Sequence, residues 1–150
     1  MTNSTPESSS VLLACGDLAT QKSLQPLLEG AGYRVTLVND SRATHQAVTA
    51  TRPDLAILAA IGEPGDALEI CRRLRVAEQT AYLPIIVLVG PSERRLRLLA
   101  LESGADDVLS MPVDREEFLL RVHNLLLQDS RRAVAVQHER RLNMLMTLAA

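Results

Sequence analysis

Two stretches of sequence decide the fold: DLAILAA at residues 54–60 and PIIVLVG at residues 84–90. Both are apolar at nearly every position, so neither has the alternation of a strand with one wet face. A strand covered by helices on both faces needs such a run, and this burial is typical of parallel sheets. The two stretches therefore predict central strands of a parallel sheet.

Three shorter apolar runs, Val11–Cys15, Val35–Val38 and Val108–Leu109, join Leu55–Ala60 and Ile85–Val89 as predicted strands. Segments with helical period separate them. This alternation predicts an α/β fold, a doubly wound five-stranded parallel sheet, in which ligands bind at the carboxyl ends of the strands.

Helix ends are also marked in the sequence. Ser92 is predicted to cap the fourth helix, and Gly104 to close it. Asp114 and Glu117 form a capping-box pattern before the fifth helix.

Composition excludes several functional classes. The chain has 150 residues and a formal net charge of −2, which is too weak a field to hold nucleic acid or a membrane surface. The N-terminus lacks the pattern of a signal peptide, so we expect a cytoplasmic protein with reduced core thiols at Cys15 and Cys71. His45, His123 and His138 have no metal-ligand spacing.

The chain divides into three parts. Residues 1–10, rich in Ser and Thr, predict a disordered tail, and residues 11–128 predict the α/β domain. Residues 129–150 lack Gly and Pro and consist largely of helix formers, so they predict an extension of the fifth helix.

Five scaffold segments carry a family resemblance: EGAGYRV (29–35), RPDLAIL (52–58), LEICRRLR (68–75), LPIIVLV (83–89) and ESGADDVLSMPVDREEFLLRV (102–122). Together they make residues 11–128 resemble a two-component response-regulator receiver domain. The resemblance implies a flavodoxin-like fold and a role in signal transduction. It also implies an acidic Mg²⁺ site after the first strand and a phosphoryl-accepting aspartate at the end of the third.

The residues at the metal positions differ from the family pattern. Cys15 and Gly16 replace the acidic pair, and Asp17 is the one carboxylate left beside them. Because Mg²⁺ keeps its waters unless several oxygens replace them, we expect neither a metal nor another cofactor here.

The phosphoryl-binding positions differ as well. Ala59 stands in place of the aspartate, Val89 in place of the Ser or Thr, Met111 in place of the Lys, and Val108 in place of the aromatic switch residue. A methyl group cannot accept a phosphoryl group. The resemblance thus predicts a degenerate pocket with no catalytic residue, a pseudo-receiver; Pro112 after Met111 keeps the family's candidate cis peptide.

Other interpretations of this region stay open. Asp54, Glu63 or Asp66 could be a relocated phosphoacceptor, although Asp54 is expected at the amino end of its strand and Asp66 is expected to cap the third helix. Cys15 could be a reactive thiol, but a small buried residue at a strand end accounts for it better.

Two surfaces could bind partners. The resemblance implies a dimer face on the fourth helix, fifth strand and fifth helix, where Arg97, Asp107, Glu117 and Arg121 have the required charges; a solvated charged face is the alternative. In the extension, a three-four spacing predicts a helical seam, against the alternative of a helix that folds back or frays. Its residues are Ala135, His138, Leu142, Leu145 and Ala149.

Two hypotheses follow. The first is a phosphorylation-independent module that dimerises or docks a protein and relays through its C-terminal helix, which in the family leads to an output domain. The second is a small-ligand sensor whose emptied pocket is lined by Cys15, Ala59, Val89 and Met111. Neither is an enzyme, because no nucleophile-base pair or phosphate-binding glycine loop lies on the strand ends.

Overall fold

The computed structural model describes residues 9–61 and 64–149. It describes the side chains of these residues except at 41, 64–65, 129–137 and 148–149. Its elements follow one another in the order β1 (Ser10–Ala14), α1 (Leu18–Gly30), β2 (Arg34–Val38), α2 (Ser41–Thr51), β3 (Leu55–Ala60), α3 (Pro64–Val76), β4 (Ile85–Val89), α4 (Arg94–Glu102), β5 (Asp107–Ser110) and α5 (Arg115–Ala149).

The five strands form one parallel sheet in the order β2-β1-β3-β4-β5. The predicted doubly wound α/β architecture is confirmed. β1 begins at Ser10, one residue before the predicted start of the domain, because Ser10 already pairs with Arg34 of β2. The rest of the predicted tail, residues 1–8, lies outside the described residues.

Each face of the sheet carries its own core. Alternate residues of β4 point to opposite faces: Val87 packs in a core with α2, α3 and α4, and Leu88 packs in a core with α1 and α5. All five residues of β4 are completely buried. The unbroken apolar runs in the sequence thus correspond to strands covered on both faces.

The predicted helix caps are confirmed in part. Asp114 accepts the N–H of Glu117 at 2.9 Å, so the cap of α5 is confirmed. The cap predicted at Ser92 is wrong: Glu93 is the cap residue of α4 without a side-chain cap bond, and Ser92 precedes it at a φ of 63°. Asp66 is not a cap either, because α3 begins two residues earlier at Pro64, whose fixed φ suits a first helical position.

The fifth helix continues through the extension as predicted. It has 35 residues, which corresponds to a length of roughly 50 Å. Among its described side chains Leu126 is the last buried one, and those of residues 138–147 are all exposed. No helix among the described residues is long and apolar enough to cross a membrane.

Arg75 joins three segments at the amino end of the sheet. Its guanidinium donates to the carbonyl oxygens of Gly104 at 2.8 Å and Leu83 at 2.6 Å, and to Oδ2 of Asp106 at 2.6 Å. The same carboxylate oxygen accepts the N–H of Ile85 at 2.8 Å. The side chain of Arg75 passes close to Gly104, where an added Cβ would lie 2.6 Å from Cγ of Arg75. Gly104 also has a φ of +106°, which favours glycine.

We expect Arg75→Ala to lower the free energy of unfolding by about 2–3 kcal/mol, because it leaves half-buried carbonyls and a carboxylate without their charged donor. Urea denaturation followed by circular dichroism measures the loss. Arg73→Ala, an exposed change on the same helix, is the control and should cost no more than about 0.5 kcal/mol. Equal losses in the two variants would contradict a structural role for the Arg75 network.

Candidate functional site

The predicted pocket lies at the carboxyl ends of β1 and β3, which are neighbours in the sheet. Ala14 pairs with Leu58, so the residues that follow, Cys15 and Ala59, leave adjacent strands at the same edge. Small residues and backbone therefore make up this part of the edge.

Cys15 is held inside the fold. Its N–H donates to the carbonyl of Val38 at 2.8 Å, its Sγ lies 3.5 Å from the carbonyl oxygen of Asp17, and the side-chain amide of Gln21 donates to its carbonyl. Burial raises the pKa of the Cys15 thiol above its ordinary value. A buried, protonated thiol favours the packing interpretation of this residue over the redox one.

Asp17 serves the helix that follows it. Its carboxylate caps α1, accepting the N–H of Thr20 at 3.0 Å and the hydroxyl of Thr20 at 2.5 Å. These hydrogen bonds, chiefly the one from the Thr20 hydroxyl, hold the pKa of Asp17 below its ordinary value.

The residues at the metal positions after β1 do not fit Mg²⁺. The ion needs several oxygen ligands, whereas Cys15 offers a buried sulfur, Gly16 has no side chain, and the carboxylate of Asp17 is engaged with Thr20. Among the described residues, no group of three or more His, Cys, Asp or Glu side chains is placed to hold a metal ion.

Val89 and Met111, the other two predicted pocket positions, are not among the residues that line the cleft at this edge. Val89 is fully buried in the core formed with α3 and α4, and Met111 packs against the opposite core while its N–H donates to the carbonyl of Val89 at 2.8 Å. The period-2 direction of side chains along β4 decides this, since a residue at a strand end can face the core as well as the edge. The Met111–Pro112 peptide is cis, as the sequence suggested.

The cleft at this edge is displaced toward β2 instead. It has a volume of about 310 Å³. Strand ends and helices α2 and α3 line it with Ala14, Cys15, Gly16, Val38, Asn39, Asp40, Thr44, Leu58, Ala59, Ile61, Asp66, Ala67 and Ile70.

Sequence reasoning missed Asp40 and Thr44 in this cleft. Asp40 caps α2 by accepting the N–H of Arg42 at 3.0 Å, and the Thr44 hydroxyl donates to the carbonyl of Asp40 at 3.2 Å. A signal was available, because a polar residue after β2 must lie at the same edge as the residue after β1 once the two strands are adjacent.

The two described alternative acceptors, Asp54 and Asp66, lie at opposite ends of the sheet. Asp54 precedes β3 at the amino end, where it accepts the N–H of Ser10 at 2.8 Å, so it is on the wrong side of the sheet as expected. Asp66 borders the cleft from the first turn of α3. Glu63 lies outside the described residues.

The predicted dimer face forms one charged surface. Arg121 donates to Asp107 at 3.0 Å and to Glu117 at 3.0 Å, while Arg97 donates to the hydroxyl of Ser110 at 3.0 Å. All four predicted residues border a common surface groove. Three of the four charges are thus paired within the chain. The hydrogen bonds to Glu117 and Asp107 raise the pKa of the exposed Arg121 above its ordinary value.

Three members of the predicted seam are described: His138, Leu142 and Leu145. All are exposed, Leu142 to 46% and Leu145 to 56%, and they follow one another at spacings of four and three along α5. The side chains of Ala135 and Ala149 lie outside the described set.

Known proteins resemble this chain along most of its length. A family model for the response regulator receiver domain matches residues 11–123. The chain is 37% identical over 116 residues to the response regulator MprA of Mycobacterium leprae, covering 77% of this chain and 50% of that protein. It is 33% identical over 133 residues to the DNA-binding dual master transcriptional regulator RpaA of Synechocystis, covering 89% and 55%.

A solved structure agrees with these relatives. The signal receiver domain of a signal transduction histidine kinase from Syntrophus aciditrophicus matches with a TM-score of 0.74 at 27% identity, over 81% of this chain and 92% of that one. The chain spans about half the length of the curated relatives it matches.

We expect Asp17→Ala to lower the urea midpoint at pH 7 and to have less effect in acid. Since the pKa of Asp17 is lowered by folding, its stabilising charge is fully present above the ordinary pKa and is lost as the pH falls through the lowered value. Asp17→Asn is the control, because it keeps a capping oxygen without a charge. A midpoint difference for Asp17→Ala that stays constant between pH 7 and pH 2 would contradict this account.

Proposed function

The chain belongs to the response regulator receiver domain family, and we propose that it works there as a phosphorylation-independent interaction module. In this proposal the domain dimerises or docks a protein through one face. It relays its state through the C-terminal helix, toward an output domain if one follows.

One observation carries the proposal: the strand end at which the family resemblance places the phosphoacceptor holds the methyl group of Ala59. Forming an acyl phosphate requires a carboxylate oxygen as nucleophile, and a methyl group has none. The neighbouring carboxylate, Asp17, is turned toward Thr20 and caps α1.

The groups that would bind a phosphoryl group are apolar in this chain. Val89 is completely buried, and Met111 packs against a hydrophobic core. Neither side chain can donate a hydrogen bond or neutralise a phosphate. Val108, where the resemblance places the aromatic switch, is also buried, so the scaffold is kept while the means of sensing phosphate are absent from these positions.

We expect no covalent uptake when the full chain is incubated with acetyl phosphate and Mg²⁺, because the acceptor position is an alanine. Intact-mass spectrometry checks this, with a receiver domain that has its aspartate as the positive control. A mass increase of one phosphoryl group would contradict the proposal. Asp66→Asn, tested beside it, would then show whether the carboxylate in the cleft had become the acceptor.

The face formed by α4, β5 and α5 supports the interaction role. Beside Arg97 on α4, two large apolar side chains are exposed, Leu98 to 54% and Leu101 to 50%. Exposed apolar groups on the same helix as a charged residue of this face are compatible with a protein interface, which combines an apolar centre with polar surroundings. The ion pairs of Arg121 hold the charged rim in a defined geometry before any partner binds.

The extended helix supports the relay. Because α5 is buried up to Leu126 and continues without interruption beyond it, a tilt or rotation set in the domain is carried along the helix. Leu142 and Leu145 lie on one side of this helix and are exposed. A second helix packed on them would remove that apolar surface from water.

We expect the double variant Leu142→Glu, Leu145→Glu to dissociate a dimer of the chain, with the dissociation constant raised at least about tenfold. Light scattering over a range of concentrations measures it. The matched control is Asn143→Glu, Thr147→Glu, which adds the same two charges to the opposite side of the same helix and should stay dimeric.

A chain that ends at Gln128 gives an independent check. It retains every described residue that is buried in the two cores and lacks the seam, so it should be monomeric. If the full chain, both double variants and the shortened chain all contain the same number of subunits, the helical seam is not the assembly device.

A further inference from the structure

The outward side of α4 combines basic and apolar side chains. The other side of this helix packs on the core through Leu99 and Ala100. Because residues three and four apart share one side of a helix, the exposed side chains fall in one row with a flank on each side. We call them the α4 face: Arg94, Leu98 and Leu101 in the row, with Arg95 and Arg97 beside it. All five are exposed.

The arginines of the α4 face have no acidic partner in the described part of the chain. No carboxylate there forms an ion pair with Arg94, Arg95 or Arg97, and Arg97 donates instead to the uncharged hydroxyl of Ser110 at 3.0 Å. The side chain of Glu93, just before the helix, turns back toward residue 90, where an added Cβ would meet its Cγ at 3.5 Å. Three positive charges are therefore left without a neutralising group.

These charges also lie at the unfavourable end of their helix. α4 has no acidic residue in its first turn, and Glu93 at its cap position makes no side-chain cap bond. A helix N-terminus carries about half a positive charge, so arginines beside it are repelled by the helix and by one another. A sequence that departs in this way from favourable local chemistry is expected at functional sites.

The two leucines add an apolar requirement to the charge. Leu98 and Leu101 are exposed to 54% and 50%, and they lie further along the helix than the arginines. Ions in solution can screen arginines, whereas leucines gain free energy only when a second apolar surface removes them from water. A partner that meets both requirements has acidic groups opposite the first turn of α4 and apolar groups opposite its second turn.

An extended anionic surface fits the α4 face less well. Glu93 and Glu102 lie at the two ends of the helix, and Asp107 borders the same groove as Arg97. A bilayer or a DNA backbone that reached the arginines would also meet these carboxylates, which repel it. A narrow acidic segment of a protein avoids them.

A second copy of the chain is also a poor match. Two α4 faces packed on each other would bring like charges together. In the extension of α5, the exposed leucines lie among residues 138–147, where Arg140 and Arg141 outnumber Glu139, the one carboxylate of that stretch. The extension therefore offers the α4 face more positive than negative charge.

We propose that the α4 face docks an acidic amphipathic helix of a partner protein. The carboxylates of that helix pair with the three arginines, and its apolar side chains cover Leu98 and Leu101. A helix fits because the row on α4 has helical spacing, which the ridge of a second helix can follow. This inference rests on the proposed docking role and adds the chemistry of the partner.

The test uses three synthetic helical peptides of about four turns with the full chain. The first has leucines on one side and glutamates beside them. The second has glutamines in place of the glutamates, and the third has alanines in place of the leucines. Amide chemical shifts in ¹H–¹⁵N spectra locate binding, and their dependence on concentration gives the Kd. We expect saturable shifts at Arg95, Leu98 and Leu101 with the first peptide, and a Kd at least about tenfold higher for the other two.

Charge reversal at the start of the helix separates binding from folding. Arg94→Glu, Arg95→Glu puts acids where the helix dipole favours them, so the variant should keep its fold and lose binding of the first peptide. Arg72→Glu, Arg73→Glu makes the same change of charge at exposed positions of α3 and should bind as the unmodified chain does. Leu98→Gln, a change at a half-exposed position, should raise the Kd about fivefold and tests the apolar contact independently.

Four results would overturn the proposal. Equal Kd values for the first two peptides would show that the arginines take no part, and shifts outside α4 would place binding on another surface. Tighter binding of duplex DNA or phosphatidylglycerol vesicles would mark a surface for polyanions. Dissociation of a dimer by Arg94→Glu, Arg95→Glu would mark a contact between two copies. Phosphoryl uptake and the seam variants are measured without peptide, so failure here and failure of the proposed function are told apart.

Discussion

The burial of one parallel sheet on both faces is the constraint on which the rest of the structure depends. Every residue of β4 is buried, and its side chains alternate between a core with α2, α3 and α4 and a core with α1 and α5. Such a strand has no wet face, so polar chemistry is confined to its ends. The two ends of the sheet have different structures. At the amino end the ion pair of Arg75 and Asp106 joins neighbouring segments, and at the carboxyl end the cleft opens.

Two residues at the carboxyl end of the sheet have few structural demands placed on them. Ala59 needs only to fit at the end of β3, and Asp17 needs only to cap α1. The carboxylate of Asp17 stabilises the fold through its cap, whereas a charge at the position of Ala59 would contribute little to folding, since the free energy of folding comes chiefly from apolar burial. This separation explains how a receiver fold persists with an alanine where the family resemblance places the phosphoacceptor.

The cleft and the long helix belong to opposite sides of the sheet. The cleft borders the core with α2 and α3, whereas α5 packs in the core with α1. β3 contributes to the cleft from both cores: Leu58 belongs to the core with α3, and Ala59 packs against the core with α5. No described lining residue of the cleft belongs to α5 itself.

The sequence by itself determined the strands, the parallel α/β class, the cap at Asp114 and the residue types at the pocket positions, because apolar runs, cap patterns and identities are local properties. Tertiary structure alone decided that Val89 and Met111 face the cores, that Asp40 borders the cleft, and that Arg121 pairs with Asp107. These facts depend on strand order and on the direction in which each side chain leaves its strand. Both arise from contacts between segments far apart in the chain, which no local pattern records.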